Sequence, residues 1–377
     1  MPIETLAELR QPQSCPTLVV KIGSSLLVGG DGTIRDAWLD TLVEDIVNLR
    51  RSGQRIVLVS SGAIALGALR MGIPRQHIVS LADAQAAASV GQIALAGLWS
   101  RLLSDWNAIA AQILLTLSDL EDRRRYLNAS ATLARLLDAG VVPVINENDS
   151  VATEEIRFGD NDRLAARVAQ AAGAQAVILL SDVDGLMDRD PRDPDARLVP
   201  VVRGIDDRIR AMAKGPQNDG VGTGGMVSKL QAAEIAERAG IALAIVNGTR
   251  AHPLSRALAE GRGTLFVPTR RDAARKGWIG GRTASRGTLR VDAGCAAALR
   301  DGASLLAVGI TECIGIFARG DLVAVIASDG TFIAQGLIEY DADACRSLLG
   351  QPQSVQSAIL GHAPRSAVIH RDQLVLL

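Results

Sequence analysis

From residue 17 to about 268 one pattern recurs along the chain. A short apolar run rich in β-branched residues ends in a Gly, Ser, Asn or Asp cluster, and a helical segment follows. The runs are Leu18 to Val20, Ile56 to Val59, Val141 to Ile145, Val177 to Leu180 and Ile241 to Val246. Continuous apolar runs of this length predict strands buried on both faces. Strands alternating with helices predict a mostly parallel sheet with helices on both sides, a three-layer αβα sandwich. Ligands of such sheets gather at the carboxyl ends of the strands. Those ends read Lys21-Ile22-Gly23-Ser24-Ser25, Ser60-Ser61-Gly62, Asn146-Glu147-Asn148-Asp149 and Ser181-Asp182, so polar residues collect where a site is expected.

After Gly287 the texture changes. Strands are predicted at Leu305 to Val308, Leu322 to Ile326, Ile333 to Ile338 and Ala367 to Ile369, with turns at Gly320-Asp321 and Asp329-Gly330. The expected organisation is an N-terminal extension over 1–16 with no assigned role, an α/β domain over 17–268, a linker over 269–286 and a small β-rich domain over 287–377. The linker carries Arg270, Arg271, Arg275, Lys276, Arg282 and Arg286 against one acid, Asp272.

Composition narrows the function classes. The 377 residues are 48% hydrophobic, enough for a sizeable core, and a net charge of −1 gives no global pull toward nucleic acid. Four cysteines lie far apart with no C-x-x-C pair, which supports neither a zinc site nor a disulfide framework and predicts a reducing compartment. Glu4 and Glu8 do not suit a signal peptide. The uncharged run from Ala84 to Ser100 is short for a membrane span. A soluble, cytoplasmic protein is expected.

The stretch Gly222 to Lys229, GTGGMVSK, puts a lysine on the first turns of a predicted helix that stops near Gly240. The helix dipole disfavours a cation there, and a bound phosphate would remove the conflict. Taken alone, the stretch reads equally as a loop before a surface helix. Lys21, at a strand end, is a second candidate phosphate ligand; two ammonium groups would stabilise the charge on a transferred phosphoryl group. Asn146, Asp149, Asp160, Asn161 and Asp162 form the densest polar region. Helix capping accounts for part of it, and the cluster suits a ligand with both ammonium and carboxylate. It could also orient Mg²⁺, although direct protein ligands for the ion are not assigned. Ser60, Ser61 and Gly62 offer backbone N–H groups to an anion, or simply start a helix. The charged run Asp119 to Arg125 reads as a solvated helix face. None of the four histidines lies in a candidate site, so Ser-His-Asp and Cys-His chemistry lack support. A carboxylate acceptor, with a pKa of about 4, is already ionised at neutral pH and needs no base.

In series, VVKIGSSLL (19–27), VLVSSGAIALG (57–67), DLEDRRRYLNA (119–129), VPVINENDSVAT (142–153), FGDNDRLAA (158–166), LLSDVDGL (179–186) and GTGGMVSKLQAA (222–233) carry a likeness. The chain resembles the amino acid kinase superfamily, and within it the glutamate 5-kinase family. The C-terminal part resembles a PUA domain, a small β-barrel-like fold, through residues 301–306, 317–321 and 333–336.

The resemblance implies ATP-dependent phosphorylation of the γ-carboxylate of L-glutamate, with Mg²⁺, as the first step of proline biosynthesis. It implies that Lys21 and Lys229 contact the phosphates and the transition state. Ser61, Gly62, Asn146, Asp149, Asp160, Asn161 and Asp162 fall at the glutamate site. Lys21, Ser181, Asp182, Thr223, Gly224, Gly225, Met226, Val227, Ser228 and Lys229 fall at the ATP site. Feedback by proline and a homo-oligomer, dimer or tetramer, are further implications. Ser181 stands where the family often has threonine, and Met187 where an aromatic residue often stands. The rivals are a sibling kinase for acetylglutamate, aspartate or a nucleoside monophosphate, and an RNA-binding PUA protein with an inactive kinase fold.

Overall fold

The computed structural model describes residues 3–29, 33–74, 77–78, 80–151, 160–213, 225–268, 285–365 and 367–376. The chain divides into two compact units, residues 1–271 and 272–377.

The strands of the first unit are β1 (Thr17–Ile22), β2 (Arg55–Ser60), β3 (Ala110–Leu115), β4 (Val142–Glu147), β5 (Ala176–Ser181), β6 (Val201–Arg203), β7 (Ala242–Asn247) and β8 (Thr264–Val267). They form one sheet in the order β3-β4-β2-β1-β5-β7-β8-β6. Every pairing is parallel except β7 with β8. The helices are α1 (Ser24–Leu27), α2 (Asp36–Arg51), α3 (Ala63–Met71), α4 (Leu81–Ser104), α5 (Leu117–Glu121), α6 (Arg123–Asp138), α7 (Asp160–Ala171), α8 (Asp207–Ala213), α9 (Met226–Arg238) and α10 (Pro253–Glu260).

Two cores lie on opposite faces of this sheet. Leu18, Val20 and Ile22 of β1 join the core with α2, α4 and α10, while Val19 joins the core with α6, α7 and α9. Successive side chains of a strand alternate faces, so Lys21 shares the face of Val19. That parity aims it at α7 and α9.

Two features depart from expectation. The N-terminal extension contributes to the core. Ile3, Leu6, Leu9 and Cys15 are buried with α10 and α2, and Gln54 Nε2 donates to the carbonyls of Leu9 and Cys15 at 2.9 and 2.6 Å. Residues Leu6–Arg10 form a 3₁₀ turn, whose period of three brings Leu6 and Leu9 to one side. Second, α4 runs 24 residues, longer than its uncharged stretch. Among the described residues it is the one helix long and apolar enough to cross a membrane by length and composition. Half of its most apolar 18-residue segment is buried, and Leu95, Leu98, Trp99, Leu102 and Leu103 build the core. Its backbone lies directly on α3, because a Cβ at Gly91 would fall 1.7 Å from the Ala63 carbonyl oxygen.

The second unit holds a five-stranded mixed sheet, β10-β9-β11-β12-β13. Its strands are β9 (Gly287–Val291), β10 (Ile310–Gly315), β11 (Leu322–Ala327), β12 (Phe332–Leu337) and β13 (Leu374–Leu376). Of the predicted strands, 322–326 and 333–338 hold to within a residue. Leu305 instead makes an isolated bridge to Ile369, and Ala307–Gly309 is a 3₁₀ turn. Gly309 lies so close to Cys295 that a Cβ would approach its Sγ to 2.8 Å, which favours a tight turn over an extended strand. Among the described residues, helices at Ala293–Arg300, Ala342–Ser347 and Gln353–Leu360 belong to the same unit as this sheet. Linker residues Arg270, Arg271, Asp272, Arg275, Lys276 and Arg282 lie outside the described residues.

Candidate active site

Four consecutive strands of the sheet, β4-β2-β1-β5, end at one edge with Asn146 and Asp149, Ser61 and Gly62, Lys21, and Ser181 and Asp182 respectively. Parallel pairing is what brings these ends together. Gly62 has φ +106° and starts α3, a conformation that costs a residue with a Cβ. Ser61 N–H donates to the Ile22 carbonyl at 3.0 Å, tying the end of β2 to β1.

The centre of the site is a buried carboxylate between two lysines. Asp162, on the first turn of α7, is fully buried. Its Oδ1 is 2.6 Å from Lys21 Nζ and its Oδ2 is 3.1 Å from Lys229 Nζ. Ser228 Oγ donates to the same Oδ2 at 3.3 Å. Both lysines are themselves nearly buried. Burial would raise the Asp162 pKa; the charges of Lys21 and then Lys229, with their hydrogen bonds, override it and hold the carboxyl below its ordinary value.

The geometry adds a partner that the sequence did not show. Lys229 sits in the first turn of α9, as predicted, but its anion in this structure is Asp162, which is itself favourably placed at the start of α7. Asp162, expected beside the substrate, also joins the two lysines.

The other predicted residues are placed as follows. Asp149 is buried in the turn after β4. Asn146 is 2% exposed, and neither Nδ2 nor Oδ1 has a hydrogen-bond partner among the described residues; Asn161 Oδ1 is in the same state. Such buried amide atoms normally have partners, which fits a polar ligand at this end of the sheet. Ser181 Oγ donates to Asp182 Oδ1 at 3.2 Å. Gly225 caps α9, Met226 packs on the adjoining core and Val227 is exposed. Thr223, Gly224 and the Asp160 side chain lie outside the described residues.

The comparisons with known proteins identify the family. A model described as the amino acid kinase family matches residues 16–247. A glutamate 5-kinase from Novosphingobium aromaticivorans is 61% identical over 377 residues, covering all of both chains. The chain belongs to the amino acid kinase family, among its glutamate 5-kinases. Another glutamate 5-kinase, from Sphingopyxis alaskensis, is 55% identical over 97% of this chain and 99% of its own. A PUA domain model matches residues 287–353. Among solved structures, a carbamate kinase from Giardia lamblia bound to AMP-PNP covers 67% of this chain and 98% of its own, at 18% identity and a TM-score of 0.49.

In this amino acid kinase several residues around the site gave little sequence signal. Asp184, two residues past Asp182, accepts from Asn247 Nδ2 and Arg262 Nη2, each at 2.7 Å. The Asn247 hydrogen bond leads the effects that hold its carboxyl below the ordinary value. Trp99 Nε1 donates to Ser60 Oγ at 2.9 Å, and Gln92 reaches the end of β4. All three are long-range pairings, and a polar residue inside an apolar helix face was the available signal for Gln92.

Proposed function

We propose that this chain transfers the γ-phosphoryl group of ATP to the γ-carboxylate of L-glutamate, giving γ-glutamyl phosphate and ADP. The observation that carries this reading is the Lys21–Asp162–Lys229 assembly at the sheet edge, in a chain aligned end to end with a glutamate 5-kinase. A carboxylate oxygen of glutamate forms the new bond to phosphorus. The bond to the bridging oxygen breaks, and ADP leaves with the electron pair. No proton is transferred, which suits a site without a histidine. Lys21 and Lys229 stabilise the charge spread over the phosphoryl oxygens. Asp162 offsets the mutual repulsion of the two ammonium groups and fixes their separation.

Asp149 takes the glutamate ammonium, with Ser61, Gly62, Asn146, Asp160 and Asn161 lining the same end. Ser181, Asp182 and the stretch Thr223 to Lys229 take ATP. Mg²⁺ accompanies ATP in the family reading and would neutralise its phosphates. The described residues do not make a cage for it: no group of three His, Cys, Asp or Glu residues is assembled among them, and both Asp162 oxygens face lysines. The ion is assigned to the nucleotide phosphates.

Cytoplasmic location agrees with the four cysteines being free. Proline feedback near the glutamate site and homo-oligomeric assembly are further expectations of the family. The rival substrates and the inactive RNA-binding reading are not favoured. Full-length relatives are glutamate 5-kinases, and both lysines are in place. A hydroxamate or coupled ADP assay over glutamate, acetylglutamate, aspartate and UMP tests the proposal. Turnover with one of the others but not with glutamate would overturn it.

A further inference from the structure

We propose that Gln92 is a positioning residue for glutamate, holding the end of β4 and the turn after it, which carry Asn146 and Asp149. This rests on the kinase reading above. Gln92 lies on α4, where most inward residues are apolar, yet it is buried. Its Nε2 donates to the Glu147 carbonyl at 3.0 Å, and its Oε1 accepts from Gln112 Nε2 of β3 at 3.4 Å. Glu147 closes β4. The residue before it is Asn146, with its buried amide, and two residues after it is the buried Asp149. The peptide that Gln92 grips is therefore the joint between two residues assigned to glutamate.

The grip has a rigid base. Gly91 lets the α4 backbone touch α3 at Ala63, so the helix cannot retreat from the sheet at this level without breaking that contact. Seven residues further along the same helix face, Trp99 makes the corresponding bond to Ser60, beside Ser61 at the end of β2. Thus α4 reaches both strand ends on the glutamate side through buried polar side chains, and the lysines lie on the opposite core's face of the sheet. A perturbation at Gln92 should reach glutamate binding before it reaches the phosphoryl-transfer group.

The test is steady-state kinetics of the full chain and of Gln92→Met, which keeps length and apolar bulk but removes the donor. Loss of one buried bond predicts a rise of roughly 5–30-fold in the KM for glutamate. The kcat and the KM for ATP should stay within about threefold, a split that general destabilisation does not produce. Gln112→Met, which removes only the support to Oε1, should raise the glutamate KM in the same direction by a smaller factor. It also decides the matter if Gln92→Met does not fold. An unchanged glutamate KM in the folded variants, or parallel changes in kcat and both KM values, overturns the positioning role. A parent chain without glutamate turnover overturns the kinase reading itself, so the two failures are distinguishable.

Discussion

Replacing Asp162 by Asn keeps the shape of the side chain and removes its charge. In the parent, that charge lies 2.6 Å from one ammonium and 3.1 Å from the other. At an effective dielectric of about 20, each contact has a gross attraction of roughly 5–6 kcal/mol. Most of that is cancelled by desolvation, because Asp162 is fully buried and both lysines nearly so. What the substitution exposes is the remainder: two close ammonium groups with no carboxylate between them. Breaking a buried pair from one side costs about 3–5 kcal/mol. For a unit of this size, that lowers the melting temperature by roughly 6–20 °C. The kinetic consequence separates ground state from transition state. With the carboxylate gone, phosphates meet less negative charge, so the KM for ATP should hold or fall. The lysines also lose the atom that fixes their spacing. By analogy with loss of a single transition-state donor, kcat should fall by about 10²–10³. Melting curves with and without ATP, beside initial rates at saturating glutamate, read both effects. A variant with parental kcat and a raised KM for ATP would refute the organising role and return Asp162 to simple substrate contact. The sign with pH follows from the depressed carboxyl. Its stabilisation is complete above the unfolded value of about 4 and is lost as pH falls through the lower folded value. The Asn variant should lack that acid-side loss, which acid titration of the two proteins would reveal.

Lys229→Ala should lower kcat far more than it raises the KM for glutamate; an unchanged kcat in the same assay would remove Lys229 from the transition state. Gly91→Ala would put a Cβ 1.7 Å from the Ala63 oxygen, and relief requires α3 and α4 to separate. A loss of about 2–3 kcal/mol or more in denaturant unfolding is expected; parental stability would show that the helices part freely. Asp45→Ala removes a carboxylate that accepts from Leu254 N, Ser255 N and Ser255 Oγ at the start of α10. About 3 kcal/mol should be lost in the same unfolding experiment, and a change below about 0.5 kcal/mol would contradict a capping role.

The parts of this protein that could be read from sequence are those governed by short-range periodicity. The β1 run alternates faces, so Val19 predicts the side of Lys21, and parallel strands predict that Lys21, Ser61, Asn146 and Ser181 share one edge. Even the buried N-terminus had a local signal, since Ile3, Leu6 and Leu9 recur every three residues. Hidden from view were pairings whose partners lie far apart in sequence. Lys229 and Asp162 are 67 residues apart, and nothing local to either predicts that one supplies the other's counter-charge. The same holds for Gln92 and Glu147, 55 residues apart.

This difference has a mechanistic reading. A lysine at the start of α9 conflicts with the helix dipole, and a bound phosphate is a sufficient remedy when only the helix is considered. The structure also supplies Asp162, so the lysine has a counter-charge that does not depend on nucleotide. Phosphate then competes with a fixed carboxylate for an ammonium already in position. Under the proposed phosphate role, reorganisation on binding should be small, and part of the attraction to ground-state ATP should be offset by Asp162. Interactions that strengthen only as charge spreads over the transferred group are the ones that accelerate the reaction. On the proposed roles, a carboxylate shared by two lysines should favour rate over tight ATP binding, which is why its removal should separate kcat from the KM for ATP.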